Sequence, residues 1–193
     1  MPAQELNTFI PTLQVGASKP KYILWILVNI IFFKSSIPYP SSIKKFLLQI
    51  FGAKIGNGVV FKPSINIKFP WKLTIGNYCW IGENVWIDNL AEVIIEDNVC
   101  ISQGAFLLTG NHNYKKKTFD LETGTISLKS GVWIGAKTTV CPNVICHENA
   151  ILSVGSIATK NLEANTIYAG NPAVEVRKRV VDLLICISRF ENK

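Results

Sequence analysis

The chain carries two histidines, and any proton transfer it runs near neutral pH falls first to them, because imidazole has the ordinary pKa closest to that pH. His112 stands in the polar run Thr109-Gly110-Asn111-His112-Asn113-Tyr114-Lys115-Lys116-Lys117, where a ring can meet solvent and a bound molecule together. It is the candidate general base. His147 follows the apolar Cys146 and is expected at a solvent-facing turn, outside the chemistry. Asp88, Asn89 and Asn111 are candidates to bind or orient an acceptor or the base, with turn formation as the competing use of Asp and Asn. Lys160 and Arg177 interrupt aliphatic stretches and are candidate partners for phosphate oxygens. Two histidines cannot supply the three-histidine zinc site of a carbonic anhydrase, so no metal is expected.

Composition bounds what positions these groups. With 193 residues, 48% apolar and 17% charged, the chain can bury one core. Its five cysteines (Cys79, Cys100, Cys141, Cys146, Cys186) are an odd number without a CxxC pair, and their apolar neighbours suit reduced thiols that pack as small hydrophobes. The net charge of +7 rests mostly on lysine, with arginine only at Arg177, Arg179 and Arg189. That balance suits an anionic small molecule or a membrane surface at least as well as nucleic acid.

An aliphatic residue followed by glycine or a turn-former recurs every six positions, plainly at Ile75-Gly76, Ile81-Gly82 and Ile134-Gly135. Helices need spacings of three and four, so the period excludes helix here and predicts one short strand and one turn per hexapeptide. Three such units close a triangular coil, and stacked coils form a parallel β-helix. Ile55, Ile75 and Ile95 lie 20 apart, as do Phe61, Ile81 and Ile101, and Ile67, Ile87 and Leu107; two extra residues therefore enter at one corner of successive coils. On the next coil that corner carries an excursion over 108–127, which holds His112. A loop of that length in a compact domain is usually functional or disordered.

The flanks read as caps for the open ends of the solenoid. Residues 1–54 form an N-terminal helical cap with helical patterns over 21–33 and 41–51; 55–172 form the β-helix; 173–193 read as a C-terminal helix. The stretch Lys21 to Lys34 is apolar on nearly all faces. Packing under the solenoid is its first use, and an interfacial helix with Trp25 and Phe33 at a lipid surface is the second. Its apolar core, Tyr22 to Phe33, is shorter than the roughly 18–20 residues of a spanning helix, and no basic head with a cleavable apolar run precedes it. A cytoplasmic location, with peripheral membrane association as an option, is the expectation.

From Ile55 to about Lys178 the sequence resembles the hexapeptide-repeat acyltransferases of the left-handed β-helix class, most of all the acetyltransferases of colanic acid and other exopolysaccharide pathways, which are related to galactoside and maltose acetyltransferases. The segments Phe69-Pro70-Trp71-Lys72-Leu73-Thr74-Ile75-Gly76, Ile101-Ser102-Gln103-Gly104-Ala105, Thr109-Gly110-Asn111-His112, Gly131-Val132-Trp133-Ile134-Gly135-Ala136 and Tyr168-Ala169-Gly170-Asn171-Pro172-Ala173 carry it. The hand of the coil is implied by the resemblance alone. So are a homotrimer, acetyl-CoA as co-substrate between neighbouring subunits, and His112 as the base that takes a proton from a sugar hydroxyl. Trp133, Gly135, Ala136, Ser153, Val154, Thr159, Lys160, Gly170, Asn171, Pro172 and Arg177 are the coenzyme A positions it implies, with the amide of Gly135 or Ala136 facing the oxyanion. Transfer to an amino-sugar nitrogen and a non-catalytic scaffold are the alternatives.

Overall fold

A computed structural model describes residues 5–180. Short parallel strands stack into three sheets that wall a triangular prism. Sheet I runs through Lys54–Ile55, Leu73–Ile75, Val93–Ile95, Ile126–Leu128 and Ile145–Cys146. Sheet II runs through Val60–Phe61, Trp80–Ile81, Cys100–Ile101, Trp133–Ile134, Ile151–Leu152 and Thr166–Gly170. Sheet III runs through Asn66–Ile67, Trp86–Asp88, Phe106–Leu108, Thr139–Val140 and Ile157–Ala158. The register is the one the period predicts: Ile55 pairs with Ile75 and Ile75 with Ile95, Phe61 with Ile81 and Ile81 with Ile101, Ile67 with Ile87 and Ile87 with Leu107. All these side chains are buried in one continuous column. Cys146 belongs to it, and burial pushes its thiol up to about 12, so it packs as a hydrophobe.

Asparagine or glycine holds positive φ at most of the I–II corners, at Gly58, Asn98, Gly131, Asn149 and Asn165, which is why those residue types recur there. The excursion leaves the III–I corner as a β-hairpin, Gly110–His112 paired antiparallel with Leu121–Thr123. Glu96 secures the chain where it re-enters the prism. Its carboxylate accepts from Lys129 Nζ at 2.7 Å and from the Ser130 amide and hydroxyl at 3.1 Å each. The Lys129 bond is the main reason the Glu96 carboxyl is held below the usual glutamate range.

Each end of the prism exposes a ragged row of backbone groups, and the flanks satisfy them. Two helices, α1 (Lys19–Val28, continued by a π turn at Asn29–Phe33) and α2 (Ser41–Ile50), cover the first coil. Trp25 Nε1 donates to the Ile67 carbonyl at 3.0 Å, and the fully buried Lys44 donates through Nζ to the Lys62 carbonyl at 2.8 Å. Burial lowers the Lys44 pKa. Trp25 and Phe33 pack inward, 5.3 Å apart, with Phe51 against the same indole. The expectation that these two rings face a lipid surface is therefore corrected: they plug the solenoid. No helix of the described residues is long and apolar enough to cross a membrane.

The far end departs from the sequence reading. Ala173–Lys178 is a strand that turns back antiparallel on Thr166–Gly170, and the expected helix fails over this stretch; residues 181–193 lie outside the described residues. The last parallel strand would otherwise leave its ladder open, and alternating Val174-Glu175-Val176-Arg177 suits a strand that closes it.

Truncating the column should be costly. Ile81→Ala is expected to lose about 2–5 kcal/mol, read as a lower urea midpoint at an unchanged slope. Because the native Glu96 pKa is depressed, its contribution is complete above the ordinary glutamate pKa of about 4.3 and fades as pH falls through the native value. The stability gap between the parent and Glu96→Gln should therefore narrow on acidification; a gap independent of pH would contradict the latch.

Candidate active site

The hairpin is seated by two close approaches. A Cβ on Gly110 would lie 2.8 Å from Leu90 Cδ1 on the coil below, and one on Gly124 would collide with the Asn143 side chain on the coil above. A larger residue at Gly110 would press on the buried Leu90, whereas at Gly124 the exposed Asn143 side chain would have to swing aside. Thr109 is fully buried at its root, where its hydroxyl donates to the Asp88 carbonyl at 2.7 Å and accepts from the Ala91 amide at 3.1 Å.

His112 is partly buried on this hairpin. Its ring stacks on Phe119 with centroids 4.4 Å apart and planes 4° apart, and Phe9 tilts against it at 6.0 Å. Nδ1 lies 2.8 Å from the Phe119 carbonyl oxygen. A carbonyl can only accept, so in the neutral ring the proton sits on Nδ1 and Nε2 keeps its lone pair. That is the tautomer a general base needs, held by backbone and by a ring stacked flat against it. Phe9 comes from an N-terminal strap tied to the hairpin by the Glu5 amide on the Lys117 carbonyl and by a 3.2 Å ion pair between Lys117 and Glu5. Lys116 is paired with Asp120 at 2.8 Å. Two of the three lysines in the run thus face carboxylates.

Successive side chains of a strand point to opposite sides, so Asn111 faces away from His112. It lines a cleft of about 480 Å3 with Leu108, Glu122, Thr123, Cys141, Asn143 and Thr159. Asn111 and Thr159, predicted separately, are brought together there, and Lys160 follows on the same III–I corner. Cys141, Pro142 and Asn143 were missed, although the 18-residue register of Val140 with Ala158 puts them one coil from Thr159.

Asp88 and Asn89 are placed otherwise. Asn89 is fully buried; its Oδ1 accepts from the Phe69 amide at 2.9 Å and its Nδ2 donates to the Phe69 and Lys72 carbonyls. It stitches one corner to the next and offers no atom to an acceptor. Asp88 is nearly buried one coil below Leu108, its Oδ1 2.9 Å from Lys68 Nζ but out of hydrogen-bond alignment. His147 sits half-buried at a I–II turn, its amide on the Leu162 carbonyl.

The remaining candidates gather at the II–III corners of the later coils. Gly135-Ala136, Ser153-Val154 and Gly170-Asn171-Pro172 stack there, with Trp133 on sheet II donating from Nε1 to Ser102 Oγ at 2.9 Å. The Gly135 amide donates to the Leu152 carbonyl at 2.8 Å and is not free for an oxyanion; the Ala136 amide makes no backbone hydrogen bond among the described residues. Below Trp133 a groove of about 370 Å3 runs over Trp80, Cys100, Ser102 and Gln103, none of which the sequence reading places in the site. Arg177 is exposed on the returning strand, on another face from Lys160. Within one chain, then, His112, Asn111, Thr159 and Lys160 lie at one edge of sheet III and Gly135, Ala136, Ser153 and Val154 at the other. Among the described residues no three His, Cys, Asp or Glu side chains cluster as a metal site.

Comparison with known proteins fits this geometry. No family model matches the chain. It is 36% identical over 178 residues to the Escherichia coli protein named "Putative colanic acid biosynthesis acetyltransferase WcaF", covering 92% of this chain and 98% of that one. It is 28% identical over 145 residues to Escherichia coli galactoside O-acetyltransferase, covering 72% and 71%. Among solved structures, the hexapeptide-repeat acetyltransferase VCA0836 of Vibrio cholerae in complex with acetyl coenzyme A superposes with a TM-score of 0.76 at 19% identity, covering 86% of this chain and 92% of that one. A galactoside acetyltransferase in complex with coenzyme A gives 0.73 at 23%, covering 82% and 81%. With a stacked hexapeptide prism, a histidine-bearing hairpin at its one long corner and a relative this similar along nearly its whole length, the chain belongs to the hexapeptide-repeat acetyltransferases, alongside the colanic acid biosynthesis enzymes.

Proposed function

We propose that this enzyme transfers the acetyl group of acetyl-CoA to a hydroxyl of a sugar, free or carried on a polysaccharide or glycolipid precursor, with His112 as the general base. The observation that carries the reading is the 2.8 Å contact between His112 Nδ1 and the Phe119 carbonyl, which leaves Nε2 as the proton acceptor. The acceptor hydroxyl loses its proton to Nε2 as its oxygen bonds to the thioester carbon. The carbon–sulfur bond then breaks, and the imidazolium returns the proton to the departing thiolate of coenzyme A. The thioester is already activated, so no covalent enzyme intermediate is needed. The Ala136 amide is the donor left for the oxyanion, since that of Gly135 is already engaged.

The placement of the candidates supports a site shared between copies in a homotrimer. Sheet III separates the hairpin from the II–III corners, so the hairpin of one copy would meet Trp133, Ala136, Ser153 and Val154 of the next. Coenzyme A would lie along those corners toward Gly170, Asn171 and Pro172, with Thr159, Lys160 and Arg177 as further contacts; Asn111, on the opposite side of its strand from His112, would reach only a part of the acceptor that extends into the cleft beside Thr159. The enzyme is read as cytoplasmic, where acetyl-CoA is made. Galactoside O-acetyltransferase among the relatives favours oxygen over nitrogen as the atom acylated.

The test is His112→Ala. It should lower kcat by about 10²–10⁴-fold with acetyl-CoA and an accepted sugar, while coenzyme A still raises the melting temperature as in the parent. Coenzyme A release at the parent rate by the variant would remove His112 from the role.

A further inference from the structure

We propose that the capped base of the solenoid is a docking face for an anionic bilayer, with the membrane as peripheral partner. The inference rests on the reading of a sugar acetyltransferase only for its purpose, because a lipid-carried acceptor would lie there; the geometry is independent of it. Trp25, Asn29, Phe33, Lys44 and Leu48 turn toward the first coil. The residues on the opposite sides of the same helices are apolar and open: Ile23, Leu27 and Ile30 on α1 and its π turn, Phe46 and Ile50 on α2, each more than half exposed. Each outer face therefore looks away from the first coil, on which both helices pack. Scattered apolar residues on a surface need no explanation, but open apolar rows on both helices that pack on the first coil mark a contact surface.

Charge identifies the occupant. From Leu6 to Gly82 the sequence holds nine lysines and no aspartate or glutamate, while the rest of the chain is close to neutral. Lys19 and Lys34 are exposed at the two ends of the α1 segment, and Lys54 and Lys62 on the coil directly above; none of the four has a carboxylate partner among the described residues. A second copy laid base to base would oppose lysine to lysine, whereas an anionic lipid surface meets both the charge and the apolar row. The segment of ten helical and five π-turn residues is about 22 Å long, too short for the roughly 30 Å hydrocarbon core, so it lies in the interface rather than across it.

A polar slot sits at the rim of this face. A crevice of about 180 Å3 between α1 and sheet III has Lys34 and Trp86 on its walls and the nine-tenths-buried Asn29, whose Oδ1 has no hydrogen-bond donor although its Nδ2 reaches Asn66. A phosphoglycerol headgroup brings an anionic oxygen for the lysine and a hydroxyl for that orphaned carbonyl oxygen.

The test is sedimentation of the full chain with vesicles of phosphatidylcholine alone or mixed with phosphatidylglycerol. The parent should bind the mixed vesicles, weaken with salt, and bind the neutral ones at least about tenfold less. The triple variant Leu27→Gln, Phe46→Gln, Ile50→Gln, whose substituted side chains contact no core, should lose tenfold or more of that binding. Its melting temperature and its turnover of a soluble acceptor should match the parent. Parent-like binding by the triple variant, absence of parent binding, or a parent whose mass in solution doubles through this face would each overturn the proposal. Vesicle binding intact in an enzyme that acetylates no sugar would instead count against the catalytic reading alone.

Discussion

A single backbone ladder runs the length of the prism, each coil donating its amides to the carbonyls of the next. Along one edge it passes from the Lys62 amide to the Ile81 carbonyl, from Gly82 to Ile101, from Ser102 to Ile134, from Gly135 to Leu152 and from Ser153 to Tyr168. Buried peptide groups must be paired, so the ladder dictates what happens at its ends and which groups remain for chemistry. At the first coil the carbonyls of Lys62 and Ile67 have no coil beneath them and take their donors from Lys44 and Trp25. At the last coil the free edge is closed by a returning strand.

The ladder also explains why the candidate chemistry lies off the prism wall. Amides within it are spent, as that of Gly135 is on the Leu152 carbonyl, whereas the amide of Ala136, one residue further around the corner, makes no backbone hydrogen bond among the described residues. Inward side chains fill the aliphatic column, leaving corners and the hairpin for polar function. The hairpin that carries His112 lies close against the neighbouring coils at its roots, where Gly110 approaches Leu90 and Gly124 approaches Asn143. Phe119, at the hairpin's far side, then fixes both the tautomer and the plane of the ring.

The parts of this arrangement governed by the period of six were legible in advance: the strand register, the corner that carries the excursion, and the residues that point inward. Features governed by contacts between distant segments were not. Nothing local marks Lys44 as a core residue, because its donor role depends on a carbonyl eighteen residues away left over by the ladder. Asn89 suits an acceptor contact or a turn by residue type alone, and is a buried stitch for the coil below it. The valines after Pro172 fitted a helix by composition, yet their alternation with charged residues is that of a strand, and an open sheet edge decided between the two. His112 was legible as a candidate base; its supporting carbonyl was not, since the pairing of Gly110–His112 with Leu121–Thr123 is what folds Phe119 back toward it.

The central claim is that hairpin and corner act together across two copies. It is tested most directly by refolding a mixture of two inactive chains, His112→Ala and a corner variant such as Ala136→Pro. Random association in a ring should pair an intact hairpin with an intact corner at about a quarter of the interfaces, so the mixture should recover activity that neither chain has alone. A mixture that co-assembles and stays inactive would contradict the account and place the whole site within one chain.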